Sequence, residues 1–414
     1  MTANSLTKNS PAISTFDSEY NLLNEDFMLP SMVLKEKALL NNSAWMKEFA
    51  EKAGVLLAPH GKTTMCPDLF EIQLADGAWG MTLANAFQVK VAFRHGINKI
   101  LMANQLVGRQ NIKTVLEELK TDDSAEFYCL VDNGENIKEL AEACRKENLE
   151  KPLNLLIEIA PAGGRAGVRT SCEVIELAKI IRSQNPWVRL AGIECYEGVI
   201  HDADEVRLVT EFLNFVSKTA VEVEEYGLFD GERLILSGGG TVFFDLVSDI
   251  LPKTPLKTPF DVLIRPGCYL SHDSGIYEQF QRNLLARDSI AAGIDKKLES
   301  AIEVLTYVQS IPEPGLAILT MGKRDVSFDS GLPVPVKVYN PKTKKMTMLN
   351  DDWYLSDLND QHAFMRFPEE VCLSVGEIII SQVSHPCLTF DKWQEIALID
   401  EEYKVLKMLK THFG

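Results

Sequence analysis

The sequence predicts an α/β chain: a (βα)8 TIM-type barrel of parallel strands followed by a C-terminal antiparallel β domain. Three observations predict it. Eight apolar, strand-like runs recur between Gly54 and Arg265, most of them separated by charged amphipathic stretches, as for strands covered on both faces. No Gly-x-Gly-x-x-Gly turn follows the first run, which argues against a doubly wound open sheet. Beyond Tyr269 the rhythm changes to short alternating runs broken by Pro, Gly, Asn and Asp, the pattern of antiparallel strands.

In chain order, Met1 to Ser18 is polar and lacks the apolar core of a signal peptide, so residues 1–25 read as a loose N-terminal segment. Residues 26–275 read as the barrel and 276–414 as the β domain. Ser31 to Ala53 carries a helical pattern, with Leu39, Leu40, Trp45, Met46 and Phe49 at three- and four-residue steps. The first strand, Gly54 to Leu57, is ended by Pro59. The others are Trp79–Thr82, Lys99–Ala103, Phe127–Val131, Leu155–Ala160, Ala191–Tyr196, Leu234–Ser237 and Val262–Arg265. Helices are expected at Arg109–Leu119, Glu135–Lys146, Ser171–Ile181 and Asp204–Tyr226, with Arg282–Asp295 as a connecting segment. The β domain is read from Ile302–Pro312, Gly315–Thr320, Pro335–Tyr339, Lys345–Leu349, Glu377–Ser381 and Glu395–Ile399.

Composition narrows the function. A net charge of −17 argues against nucleic acid and anionic membranes as partners, and no apolar run reaches the length of a membrane span. The 8 cysteines are scattered without paired spacing, which points to reduced thiols in a cytoplasm rather than a disulfide framework.

Chemistry concentrates at the expected carboxyl ends of the strands, where barrels of this kind carry their sites. Lys62 follows the first strand; burial there would lower its pKa and make the amine a nucleophile or base. His60 stands two residues before it. The seventh strand ends in Gly238-Gly239-Gly240-Thr241 and the eighth in Arg265-Pro266-Gly267-Cys268-Tyr269, which offer backbone N–H groups and a hydroxyl to an anion. A lysine and a phosphate cradle across one barrel mouth suggest pyridoxal 5'-phosphate. Arg165, set among glycines, could face the cofactor's phenolate oxygen, its ring nitrogen or a substrate carboxylate. Tyr196 and Gln105 end the sixth and third strands as further candidate contacts.

In the β domain, Ser384-His385-Pro386-Cys387 places an imidazole and a thiol two residues apart on a segment expected to be extended, which suits Zn2+. Two ligands read as an open, catalytic site. His362 is the candidate third ligand or acid/base.

Pro59-His60-Gly61-Lys62-Thr63, Ala103-Asn104-Gln105, Gly164-Arg165-Ala166-Gly167, Tyr196-Glu197-Gly198, Gly238-Gly239-Gly240-Thr241, Arg265-Pro266-Gly267 and Ser384-His385-Pro386-Cys387 occur in this order. Together they resemble the D-serine dehydratase / D-threonine aldolase family of fold-type III pyridoxal-phosphate enzymes, from about Asp26 to the C-terminus. The resemblance implies an alanine-racemase-like fold in which the N-terminal segment joins the β domain, and a head-to-tail homodimer. It also implies that Lys62 carries the cofactor and that His385 and Cys387 hold zinc. Cysteine rather than aspartate at position 387 favours elimination over retro-aldol cleavage; Gly61 and Met65 depart from the dehydratase pattern around the lysine.

The expected activity is β-elimination from a D-3-hydroxyamino acid, D-serine first, with D-threonine and 3-hydroxy-D-aspartate next, giving a 2-oxo acid and ammonia. Catalysis falls to Lys62, Arg165 and His362, and cofactor contacts to Lys62, His60, Gln105, Arg165, Tyr196, Gly239, Gly240, Thr241, Gly267 and Tyr269. The alternatives are a metal-dependent D-threonine aldolase, a fold-type III racemase, and a non-catalytic pyridoxal-phosphate carrier.

Overall fold

A computed structural model describes residues 20–413. Most of the predicted loose segment, 1–25, therefore lies outside the described residues. Its described end is docked, because Leu22 is buried and its N–H donates to the Tyr403 carbonyl at 3.1 Å.

The first strand is not a barrel strand. Ser31–Lys35 (β1), expected to open a helix, is instead extended, and the helix begins at Glu36 (α1, Glu36–Ala53). Met32, Val33 and Leu34 are fully buried within a sheet, where a short run of large apolar residues is stable on both faces. Helical spacing alone did not show this start.

Eight parallel strands follow: β2 (Leu56–Leu57), β3 (Met81–Leu83), β4 (Lys99–Gln105), β5 (Glu126–Val131), β6 (Leu153–Ile159), β7 (Val188–Cys195), β8 (Leu234–Gly238) and β9 (Phe260–Ile264). Their order is β2-β9-β8-β7-β6-β5-β4-β3. The two ends meet, since Trp79 and Thr82 donate N–H bonds to the Leu57 and Pro59 carbonyls at 2.7 and 2.8 Å. Alternation sorts the side chains. Leu101, Leu130, Leu156, Ile235 and Leu263 pack on one another inside, while Ile100, Cys129, Leu155 and Leu236 join the core beneath the helices. Trp45 stacks on Phe49 at 5.7 Å, and Phe49 meets Phe244 edge-on at 4.9 Å, which ties α1 to the helix after β8. Such pairs add about 0.5–1.5 kcal/mol each beyond their buried area.

The second unit uses β1 together with β10 (Ile302–Glu313), β11 (Leu316–Leu319), β12 (Val334–Asn340), β13 (Lys345–Met348), β14 (Tyr354–Leu358), β15 (Ala363–Arg366), β16 (Ile378–Gln382), β17 (Glu395–Ile399) and β18 (Val405–Lys410). β1 lies between β10, antiparallel, and β17, parallel, so the second unit is built from two separated stretches of chain. The expected connecting segment is largely helical, Ile276–Arg287 and Ser289–Ala292. Where barrel and second unit join, Ser274 N–H donates to Val383 O at 3.2 Å. Gly275 fits only because it lacks a Cβ, which would lie 2.9 Å from the Ser384 carbonyl.

Candidate active site

A cleft of about 280 Å3 opens at the carboxyl ends of the barrel strands, roofed by the His385–Cys387 segment. Lys62 reaches it from a single helical turn, Gly61–Thr63, that begins where Pro59 ends the first barrel strand. Gly61 is needed there, since a Cβ would stand 2.7 Å from the Phe70 ring. Lys62 is exposed to the cleft rather than buried, which corrects the expectation of a desolvated amine.

Beside it, His60 has a buried Nδ1 with no hydrogen-bond partner. Burial, followed by the charges of Lys62 and Arg265, holds its pKa well below the ordinary value, so the ring is neutral. Arg265 is buried and ion-paired with Glu194, and it also donates to the Cys195 carbonyl at 3.0 Å. Burial outweighs that pairing and raises Glu194 to about 7; its Oε2 has no partner. Glu158 sits opposite Glu194 in strand register and accepts from the Gln105 amide. Burial raises its pKa as well.

The Arg165 guanidinium lies over the Tyr196 ring, 5.4 Å from its centroid. The neighbouring Arg169 shapes that loop by donating to the Ala166 and Gly164 carbonyls, each at 2.8 Å. Glycines make room for Tyr196, because a Cβ on Gly198 would come within 2.6 Å of its hydroxyl and one on Gly240 within 2.9 Å of its ring. The expected anion cradle needs correction. The Gly239 and Gly240 N–H groups both donate at 3.1 Å to the buried carboxylate of Glu197 rather than pointing into the cleft. Gly240, Thr241 and Gly267 nonetheless line the cleft.

The roof departs from the extended geometry expected of it. Pro386 has helical dihedrals, φ −61 and ψ −49, and Cys387 starts a short helical turn. The His385 and Cys387 side chains still meet, and their hydrogen bond is the first cause of a His385 pKa raised to about 9. Asp329 Oδ2 lies 2.7 Å from His385 Nδ1. The Cys387 Sγ is 3.5 Å from both Cys268 Sγ and Thr63 Oγ1. The hydrogen bond from Cys268 leads the causes that hold Cys387 well below the ordinary thiol pKa, against the opposing effect of burial.

Four expected residues do not line the cleft: Gln105, Gly239, His362 and Tyr269. His362 is exposed on the β14–β15 turn and does not line the cleft. The Tyr269 hydroxyl turns into the core and accepts from Gln73 at 3.0 Å, because its position in the chain points it away from the barrel mouth. Sequence reasoning missed Glu194, Tyr277, Cys268 and Asp329. Glutamates within the otherwise apolar runs ending β6 and β7 carried a readable signal for buried charge; the other residues are brought in only by tertiary packing.

Comparison with known proteins follows the same outline. Residues 301–399 match a family model described as a putative serine dehydratase domain. The 3-hydroxy-D-aspartate aldolase of Paracoccus denitrificans is 27% identical over 322 residues, 74% of this chain and 75% of that protein. The chain thus resembles the D-serine dehydratase / D-threonine aldolase family. The named relatives are aldolases and a dehydratase, all lyases, which supports a lyase enzyme here. The D-threonine aldolase structure from Filomicrobium marinum superposes with a TM-score of 0.78 at 23% identity, covering 97% of this chain and 98% of that one. D-threo-3-hydroxyaspartate dehydratase from Delftia sp. gives 0.74 at 18% identity, covering 95% and 99%. These two likenesses concern the fold, which is alanine-racemase-like. The family likeness supports pyridoxal phosphate as the cofactor. The cleft fits such a group: Lys62 shares its lining with His60 and Glu194, whose Nδ1 and Oε2 have no hydrogen-bond partner, and with Gly240, Thr241 and Gly267. Among the described residues no group of three or more His, Cys, Asp or Glu side chains that could hold a metal ion is formed; the roof supplies two such donors, the His385 imidazole and the Cys387 thiol.

Proposed function

We propose that the protein is a pyridoxal-phosphate- and zinc-dependent dehydratase that converts a D-3-hydroxyamino acid, D-serine foremost, to a 2-oxo acid and ammonia. The observation that carries this reading is that Lys62 and the His385/Cys387 pair line one cleft, although Lys62 and His385 are 323 positions apart in sequence. Pyridoxal phosphate held by Lys62 would supply an electron sink for the α-carbon, and zinc held by His385 and Cys387 would supply Lewis-acid polarisation of a β-hydroxyl.

The chain's own residues do the rest. Lys62 Nζ takes the α-proton. Arg165, over the Tyr196 ring, offers a fixed positive charge to a carboxylate. The His60 ring, its pKa held well below the ordinary value by burial and by the charges of Lys62 and Arg265, stays neutral and adds no further positive charge. The Glu194–Arg265 pair places a buried acid near neutrality at the floor of the cleft. In keeping with the family resemblance, the working form is read as a cytoplasmic head-to-tail homodimer. Among the described residues no helix is long and apolar enough to cross a membrane.

A second reading, retro-aldol cleavage to glycine and an aldehyde, is favoured by the aldolase relatives. Cys387 at the second metal position favours elimination. Product analysis separates them: D-threonine giving 2-oxobutyrate and ammonia supports the dehydratase, whereas glycine and acetaldehyde make the protein an aldolase.

A further inference from the structure

This inference rests on the zinc reading above and concerns how the chain prepares His385 for a metal. The ring's Nδ1 faces Asp329 Oδ2 at 2.7 Å, so Nε2 is the nitrogen left for a ligand. The pairing belongs to a larger contact between two loops. Ser327 N–H donates to Thr389 Oγ1 at 3.1 Å, and the Thr389 hydroxyl in turn donates to the His385 carbonyl at 3.0 Å. The Trp393 indole N–H donates to Asp325 O at 2.8 Å, and the Ser384 hydroxyl donates to Gly331 O. The stretch 325–331 is thus bolted to the stretch 384–393 on both sides of Asp329 and His385. On its other side the imidazole meets the Tyr277 ring edge-on at 6.1 Å.

We propose that Asp329 is a positioning residue for metal binding: it fixes the His385 ring with Nε2 presented to a divalent cation and strengthens that nitrogen as a donor. A carboxylate on the far nitrogen of a ligating histidine sets the tautomer and orientation, and its loss commonly weakens metal affinity about 10–100-fold. Asp329 is exposed, so its contribution is to the site rather than to the fold.

The test is zinc affinity, read by competition with a chromophoric chelator on the full chain. Asp329→Ala should weaken zinc binding about 10–100-fold, and Asp329→Asn, which keeps an acceptor but loses the charge, should weaken it less. The melting temperature of the metal-free protein and the absorbance of bound pyridoxal phosphate should stay at their wild-type values. Wild-type zinc affinity in Asp329→Ala, beside its loss in His385→Ala, would overturn the proposal and leave the zinc reading standing. Wild-type affinity in His385→Ala would remove the zinc reading, and this proposal with it. Should Asp329→Ala fail to fold, the near-isosteric Asp329→Asn decides, with wild-type affinity again overturning the proposal.

Discussion

The sulfurs of Cys268, after the last barrel strand, and Cys387, on the roof, lie 3.5 Å apart across the junction of the two units. The hydrogen bond between them helps to hold Cys387 as a thiolate while Cys268 is pushed up. Brief iodoacetamide treatment of the metal-free protein near pH 6.5 should therefore alkylate Cys387 before the buried thiols Cys66, Cys129, Cys144, Cys195 and Cys268. Peptide mass mapping reads the order, and zinc should protect Cys387. Faster labelling of any buried thiol would contradict the assignment.

Lys62→Ala should lose the spectral signature of lysine-bound pyridoxal phosphate and at least about 1000-fold in kcat/KM, roughly 4 kcal/mol. Gly61→Ala tests the turn that carries the lysine: its Cβ would collide with Phe70, so activity should fall while the barrel stays folded by circular dichroism. Wild-type activity in either variant would be inconsistent with the assigned role of Lys62.

Glu197 accepts both Gly239 and Gly240 N–H groups from a fully buried position. Glu197→Ala leaves those donors without their acceptor and should destabilise the protein by about 1–3 kcal/mol in urea unfolding. A change near zero would mean that other groups take over the two amides.

Stability should carry the mark of Glu194. Its folded pKa of about 7 is raised from 4.5, so the native state binds more protons than the unfolded chain between those values. The contribution is fully present below about pH 4.5 and is lost as pH rises through 7. Relative to Glu194→Gln, the wild-type unfolding free energy should therefore decline from pH 5 to pH 8. Parallel profiles would show that Glu194 keeps an ordinary pKa.

His362→Ala should leave activity unchanged and stability within about 0.5 kcal/mol, as expected for an exposed turn residue. A large loss of kcat would restore the catalytic role its sequence neighbours suggested.

The barrel was legible because its strands are buried on both faces, as in Leu153–Ile159, where every residue is buried. That Lys62, Arg165, Tyr196, Thr241 and the His385/Cys387 pair line one cleft was legible because strand ends and short motifs fix them locally. The role of β1 was not, since a five-residue strand running into an 18-residue helix shows no break in apolar spacing. The partner of the glycine amides was not legible: sequence shows that amides are free to turn but not toward what, and Gly239 and Gly240 donate to Glu197. Asp329 and Tyr277 lay hidden because only the packing of the second unit brings them to His385.

The central claim is that a lysine-bound cofactor and a His385/Cys387 metal act in one cleft on one substrate. The most direct test is to assay pyruvate and ammonia from D-serine with pyridoxal-phosphate-loaded protein, after removal of metal by a chelator and again after zinc is restored. Turnover that disappears with the metal and returns with zinc, and that is absent in His385→Ala and Cys387→Ala, is the predicted result. Turnover unchanged in verified metal-free protein, or no ammonia from any D-3-hydroxyamino acid, would contradict it.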